Sequence, residues 1–220
     1  MQTSLTPIRY LPGPKRQRGK MSNSLAAAIG LFLAAAIALA LAWQRNVEPE
    51  AATLIPQPLD LPDFALTAGN GEAFNRESLA GRYSLVFFGF THCPDICPIT
   101  LQQLTRFQRR LEEDSEDDVP QIVFVSVDPE RDTVEAVDAY TSAFGGDVIG
   151  LRGALANLTP LSSALGAYHS REVTDDSYVV EHSAAVLVID DQARFSAVFA
   201  APHDVDAMVR DWPLVTAGWR

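Results

Sequence analysis

Tyr83-Ser-Leu-Val-Phe-Phe-Gly-Phe-Thr-His-Cys-Pro-Asp-Ile-Cys-Pro98 runs from a continuous apolar stretch straight into two closely spaced cysteines. An apolar run of this length, Tyr83–Phe90, is the pattern of a strand covered on both faces. Beyond it the period changes. Leu101, Leu104, Phe107 and Leu111 recur every three or four residues, and Pro98 suits a first helical turn, so an amphipathic helix is expected from about 97 to 113. Cys93 and Cys97, the only cysteines in the chain, therefore stand at a strand-to-helix junction, about one helical turn apart. Their sulfurs can converge on one soft metal ion or on each other.

Outward from this junction the same alternation continues. Toward the N-terminus the pattern predicts a short strand at Phe64–Leu66, a turn at Gly69-Asn-Gly71 and a small helical segment at Arg76–Ala80. Toward the C-terminus it predicts a buried strand at Gln121–Val127, a helix at Val134–Phe144, a strand near Val148–Leu151 and a helix near Leu158–Gly166. A hairpin of strands Ala184–Ile189 and Arg194–Phe199 and a closing helix at Asp204–Asp211 complete the chain. Order β-α-β followed by β-β-α is that of an α/β, thioredoxin-like mixed sheet with flanking helices.

The first fifth of the 220 residues differs in kind. Residues 1–22 carry Arg9, Lys15, Arg16, Arg18 and Lys20 and no acid, which reads as a basic cytoplasmic tail. Residues 23–43 are uncharged and long enough to cross a hydrocarbon core of about 30 Å, so a single N-terminal transmembrane helix is expected. A signal peptide cleaved after Ala38-Leu-Ala40 is the competing reading. Residues 44–60 hold Pro49, Pro56 and Pro58 and read as a proline-rich linker, leaving a domain at 61–218. With the positive flank inside, that domain faces the periplasm of a bacterial inner membrane; a mitochondrial inner membrane would have the same layout.

Charge divides as sharply. All 28 acidic residues but only 12 of the 17 basic ones follow the expected span, so the exported part is near −16 (12 − 28). Such a surface excludes phosphate-backbone binding, and nucleic acid is not an expected partner. A purely structural Cys93–Cys97 bridge is also a weak reading, because a loop this short gains little from closure.

Three separate motifs, Thr91-His-Cys-Pro-Asp-Ile-Cys-Pro98, Ser126-Val-Asp-Pro-Glu-Arg-Asp-Thr133 and Glu181-His-Ser-Ala-Ala185 before Val188-Ile-Asp190, resemble those of the Sco/SenC family over about residues 60–215. The resemblance implies a membrane-anchored, thioredoxin-like protein that binds copper through Cys93, Cys97 and His182. It also implies a role in maturing the dinuclear copper centre of cytochrome c oxidase subunit II, with a copper donor chaperone and a thiol reductant as further partners.

The chemistry of the three residues agrees with that implication. Thiolates suit Cu(I), and an imidazole beside them also admits Cu(II). Structural zinc normally takes a fourth ligand, which is not apparent. Cys97, at the start of a helix, is expected to have its thiol pKa lowered by the free N–H groups there. Thioredoxin has two residues between its cysteines and a facing cis-proline; here there are three, and His182 stands near the place of the proline.

Other residues receive plainer expectations. His92 is read as solvent-facing or as supporting the site from outside, and His169 and His203 as surface residues. Asp95 either tunes the site or is simply solvated, and Asp128 starts a turn with Asp132 or Thr133 capping the next helix. Phe87, Phe88 and Phe90 belong to the core, Phe90 shielding the site.

Three functions use the same two sulfurs. One is a copper metallochaperone, which is not an enzyme. The second is a thiol–disulfide reductase with a redox-active Cys93–Cys97 disulfide, and the third is a copper or redox sensor.

Overall fold

A computed structural model describes residues 23–44, 48–114, 119–173 and 178–217. The basic tail expected at 1–22 lies outside the described residues. Two compact units divide the chain, residues 1–48 and 49–220. The first contains one helix, α1 (Asn23–Gln44), whose side chains are described over residues 27–39, all exposed. The transmembrane helix expected at 23–43 is not found: a helix forms there, but among the described residues no helix is long and apolar enough to cross a membrane.

The second unit is built on β4 (Ser84–Gly89), β5 (Gln121–Ser126) and β6 (Val148–Arg152), which run parallel at the centre of the sheet. Around them stand β1 (Ala52–Asp60), β2 (Leu66–Ala68), β3 (Ala73–Phe74), β9 (Val186–Ile189) and β10 (Arg194–Phe199), giving the order β1-β10-β9-β4-β5-β6-β2-β3. Pairs outside the parallel trio are antiparallel, as expected of a mixed sheet.

Every residue of β4 and β5 is buried because both faces are covered. Alternation along the strands sends Leu85, Phe87, Ile122 and Phe124 to one face, where α2 (Ile96–Asp114), α3 (Val134–Ser142) and α5 (Val205–Ala217) pack. Val86, Phe88, Val123 and Val125 face the other side, against α4 (Leu155–Ala164) and the loop carrying Leu61 and Phe64. Leu101, Leu104 and Phe107 of α2 are wholly buried, each worth about 2 kcal/mol by area removed from water.

The proline-rich segment departs from expectation. Residues 52–60 are not a tether but the edge strand β1, paired with β10 from Ala52↔Phe199 to Asp60↔Arg194. Pro56 and Pro58 fall where the register shifts between Leu54 and Leu59, so their missing N–H groups cost no ladder bond. The strand is pinned at its start by the buried carboxylate of Asp211 on α5, which accepts from Ala51 N at 2.6 Å and Ala52 N at 2.9 Å.

A second departure is a two-stranded sheet of β7 (His169–Val173) and β8 (Tyr178–His182), apart from the main sheet. Its sequence mixes His, Ser, Arg and Glu with valines and shows no clean alternation, so the pattern passes over it. The strand expected at Phe64–Leu66 lies two residues later, because Thr67 and Ala68 pair with β6. The closing helix runs beyond Asp211 to Ala217, where Trp212 and Val215 join the core.

Replacing Asp211 with Ala leaves two backbone donors at the start of β1 without their acceptor. Denaturant unfolding should show a loss of about 2 kcal/mol, whereas Pro56→Ala should change stability by less than about 0.5 kcal/mol.

Candidate metal centre

β4 ends at Gly89, and the chain turns through Phe90–Asp95 before α2 begins at Ile96. Cys93 N donates to Phe90 O at 3.2 Å, closing the turn. Cys97 N, in the first turn of α2, donates to Cys93 Sγ at 3.4 Å, so the free N–H of the helix start points at the first sulfur rather than the second. Cys97 itself is fully buried. Its sulfur lies so near Gly89 that a Cβ there would sit 2.8 Å from Sγ and 2.6 Å from Phe124 Cε2. A residue without a side chain is required at 89.

His182 arrives on the last residue of β8 and places Nε2 3.3 Å from Cys97 Sγ. Its Nδ1 is 3.0 Å from the carbonyl of Ser183, which can only accept, so Nδ1 carries the proton. In the neutral ring Nε2 then presents a lone pair to the sulfurs. The ring meets Phe87 and Phe90 edge-on at 5.7 Å each, so Phe90 shields the site as expected and Phe87 does so too. Donor atoms of Cys93, Cys97 and His182 lie within 4.8 Å of one another. Ligands around one ion at about 2.0–2.3 Å stand roughly 3–4.5 Å apart, so a small contraction would close the trio on a metal. Among the described residues the trio gains no fourth Cys, His, Asp or Glu.

The expected acidity of Cys97 is overturned. Burial pushes its thiol well above the usual range, and the neighbouring Cys93 and the Asp132 carboxylate add to this. Desolvation of a side chain with no exposure outweighs the helix start, whose N–H is spent on Cys93.

Asp132 does not cap α3. Thr133 takes that role, accepting from Ala136 N at 3.1 Å. Asp132 instead turns inward with no exposure and accepts from Thr91 N at 3.0 Å, Thr91 Oγ1 at 2.5 Å and Ser126 Oγ at 2.6 Å, tying the cysteine turn to the end of β5. His92 is half-exposed with Nδ1 3.5 Å from the same carboxylate, outside the sulfur cluster. Asp95 is exposed.

Asp128 makes the expected turn, its carbonyl accepting from Arg131 N and Asp132 N, but its buried carboxylate does more. It binds the Arg131 guanidinium and accepts from Tyr178 Oη at 2.7 Å. Arg131 lies 4.1 Å from the Tyr178 ring centre and 5.7 Å from that of Phe90. One guanidinium thus joins the turn after β5, the turn after β4 and the strand that brings His182. Its Arg-Asp spacing within Asp128-Pro-Glu-Arg-Asp132 is visible in sequence; its partner Tyr178 is not.

His203 is a correction: it is buried, not a surface residue. Its Nε2 donates to Ala184 O at 2.9 Å, and burial holds its pKa below the ordinary value. His169 pairs in register with His182 at the start of β7, and its side chain lies outside the described residues.

Comparison with known proteins places this arrangement. Residues 55–214 match the family model described as SCO1/SenC. A protein of Stutzerimonas stutzeri described as copper-binding is 34% identical over 84% of this chain and 92% of its own length. Protein SCO1 homolog 1, mitochondrial, of Arabidopsis thaliana is 36% identical over 66% of this chain, and the match spans 43% of that longer protein. Among solved structures, Arabidopsis thaliana ScoI with copper bound is similar with a TM-score of 0.64 and 34% identity, covering 70% of this chain and 94% of that one. Bradyrhizobium japonicum ScoI with copper bound gives a TM-score of 0.62 at 33% identity, covering 70% and 98%.

Arg131→Ala should free the strand carrying His182 while leaving the central sheet intact. Hydrogen exchange is expected to quicken about tenfold at Val180–His182 and to stay unchanged in β4 and β5. Equal quickening throughout would mean that Arg131 supports the whole domain.

Proposed function

Since the chain belongs to the SCO1/SenC family, we propose that Cys93, Cys97 and His182 bind copper and that the domain is a copper metallochaperone of cytochrome c oxidase assembly, delivering the metal to the dinuclear centre of subunit II. The convergence of two sulfurs and an imidazole lone pair within 4.8 Å carries this reading. Two soft donors hold Cu(I), and the imidazole completes a set that also suits Cu(II). Copper is cargo here, and the mouth of the site favours its transfer. Cys93 is half-buried and open to a recipient ligand, whereas Cys97 is sealed in the core. Exchange would start at Cys93 and His182 and finish at Cys97.

The copper-bound structures of the Arabidopsis and Bradyrhizobium relatives support the choice of metal. Anchoring of the domain on the periplasmic side of a bacterial inner membrane is proposed from the sequence of residues 23–43.

A second reading, disulfide reduction of the recipient, is favoured by the unequal exposure of the two free thiols. Cys93 would attack a target disulfide and Cys97 would resolve the mixed disulfide. The domain's two thiols then become one disulfide as the target gains two, and an external thiol reductant restores them.

One equivalent of Cu(II) added to the purified chain should produce a thiolate-to-copper absorption band. In His182→Ala the affinity should fall at least tenfold, while reduction of a disulfide peptide continues unchanged. No band in the wild-type chain would sink the chaperone reading. Because burial keeps Cys97 a thiol at neutral pH, copper must displace its proton. Affinity is therefore expected to rise with pH, by about tenfold per unit for each proton released, and to fall in acid, as read by competition with a chelator whose own protonation is corrected for.

A further inference from the structure

Among the described residues, six arginines are ion-paired and Arg152 donates to two backbone carbonyls. Arg106 and Arg109 are different. They stand three residues apart on the exposed side of α2, and no acid or carbonyl of the described residues engages them. Both line a recess of about 540 Å³ with Gln102, Gln103 and Phe144, and no carboxylate of the described residues lines it. Although the exported part is near −16, two neighbouring guanidinium groups thus have no acidic partner among the described residues and stand beside a cavity large enough for several side chains.

This cationic recess and the copper mouth are neighbours along α2. Ile99 lines the recess, and Ile96, one turn earlier on α2, lines the opening around Cys93 and His182. Both isoleucines are exposed, at 47% and 42%, on a helix whose other large apolar residues are buried. From Ile96 to Arg109 the strip runs about 20 Å along the helix.

We propose that this strip is the docking surface for the protein that receives the copper, and that its occupant is an acidic segment of that protein. The proposal rests on the chaperone reading above. An apolar side chain of the segment packs on Ile96 and Ile99 beside the site, and carboxylates pair with Arg106 and Arg109, whose planar forks suit them. Elsewhere the acidic surface repels such a segment, so attraction confined to one strip orients the recipient with its ligands over Cys93.

The test uses the full chain in detergent, with the copper-free soluble domain of oxidase subunit II as first probe and a decaglutamate peptide as second. R106E/R109E is compared with R76E/R210E, which makes the same change of charge at two exposed pairs elsewhere. An unchanged copper–thiolate band certifies the fold and site of each variant. At low salt the association rate with subunit II should fall at least tenfold in R106E/R109E and stay within threefold of wild type in R76E/R210E. Salt should slow association of wild type and no longer slow that of R106E/R109E. Ile99→Ser, which removes apolar surface without adding charge, should weaken binding of the subunit II domain and leave decaglutamate binding unchanged. Equal binding by the two double variants overturns the docking surface. If wild type ignores subunit II, the recipient reading fails on its own, and decaglutamate decides the strip: binding lost only in R106E/R109E supports it, and binding equal in both double variants, or absent in wild type, overturns it.

Discussion

The sulfur of Cys97 is packed without solvent exposure where the first turn of α2 meets the end of β4, and the other features of the site follow from that burial. The sulfur fits only because residue 89 is glycine. Burial keeps the thiol protonated, sets it 3.3 Å from the Nε2 lone pair of His182, and leaves Cys93 as the sulfur that a partner can reach. A site of one sealed and one open sulfur is suited to holding a soft cation and yielding it in order.

The scaffold around that sulfur is rigid on one side and assembled on the other. β4, β5 and α2 come from neighbouring stretches of sequence and are clamped by two continuous cores. His182 comes from a separate two-stranded sheet, held by the Arg131–Asp128–Tyr178 cluster and by the rings of Phe87 and Phe90. Asp132 ties the cysteine turn to the same loop after β5. The segment Ser126–Thr133 therefore supports both halves of the trio without supplying a donor to it.

Much of this was legible in the chain. The apolar run of β4, the spacing on α2, the buried β5 and the hairpin of β9 and β10 each follow from local periodicity, and all lie within a residue or two of expectation. Elements whose identity depends on partners were not. Pro56 and Pro58 argue for a tether until β10 supplies a ladder that skips them. β7 and β8 lack alternation because they form no part of the main sheet. His203 reads as a surface residue until Ala184 O accepts a hydrogen bond from its Nε2 in the core.

The sequence by itself determined the donor types, their spacing at a strand-to-helix junction, the acidic charge of the domain and the family to which the motifs point, because these reside in residue identity and short-range order. Only the packing of distant segments decided which cysteine is sealed, which nitrogen of His182 faces the sulfurs, and which acid braces the turn. Those properties depend on solvent exclusion and on contacts across as many as 85 residues, such as that between Cys97 and His182. No local pattern encodes them, since desolvation and hydrogen-bond direction exist only once distant segments have packed together.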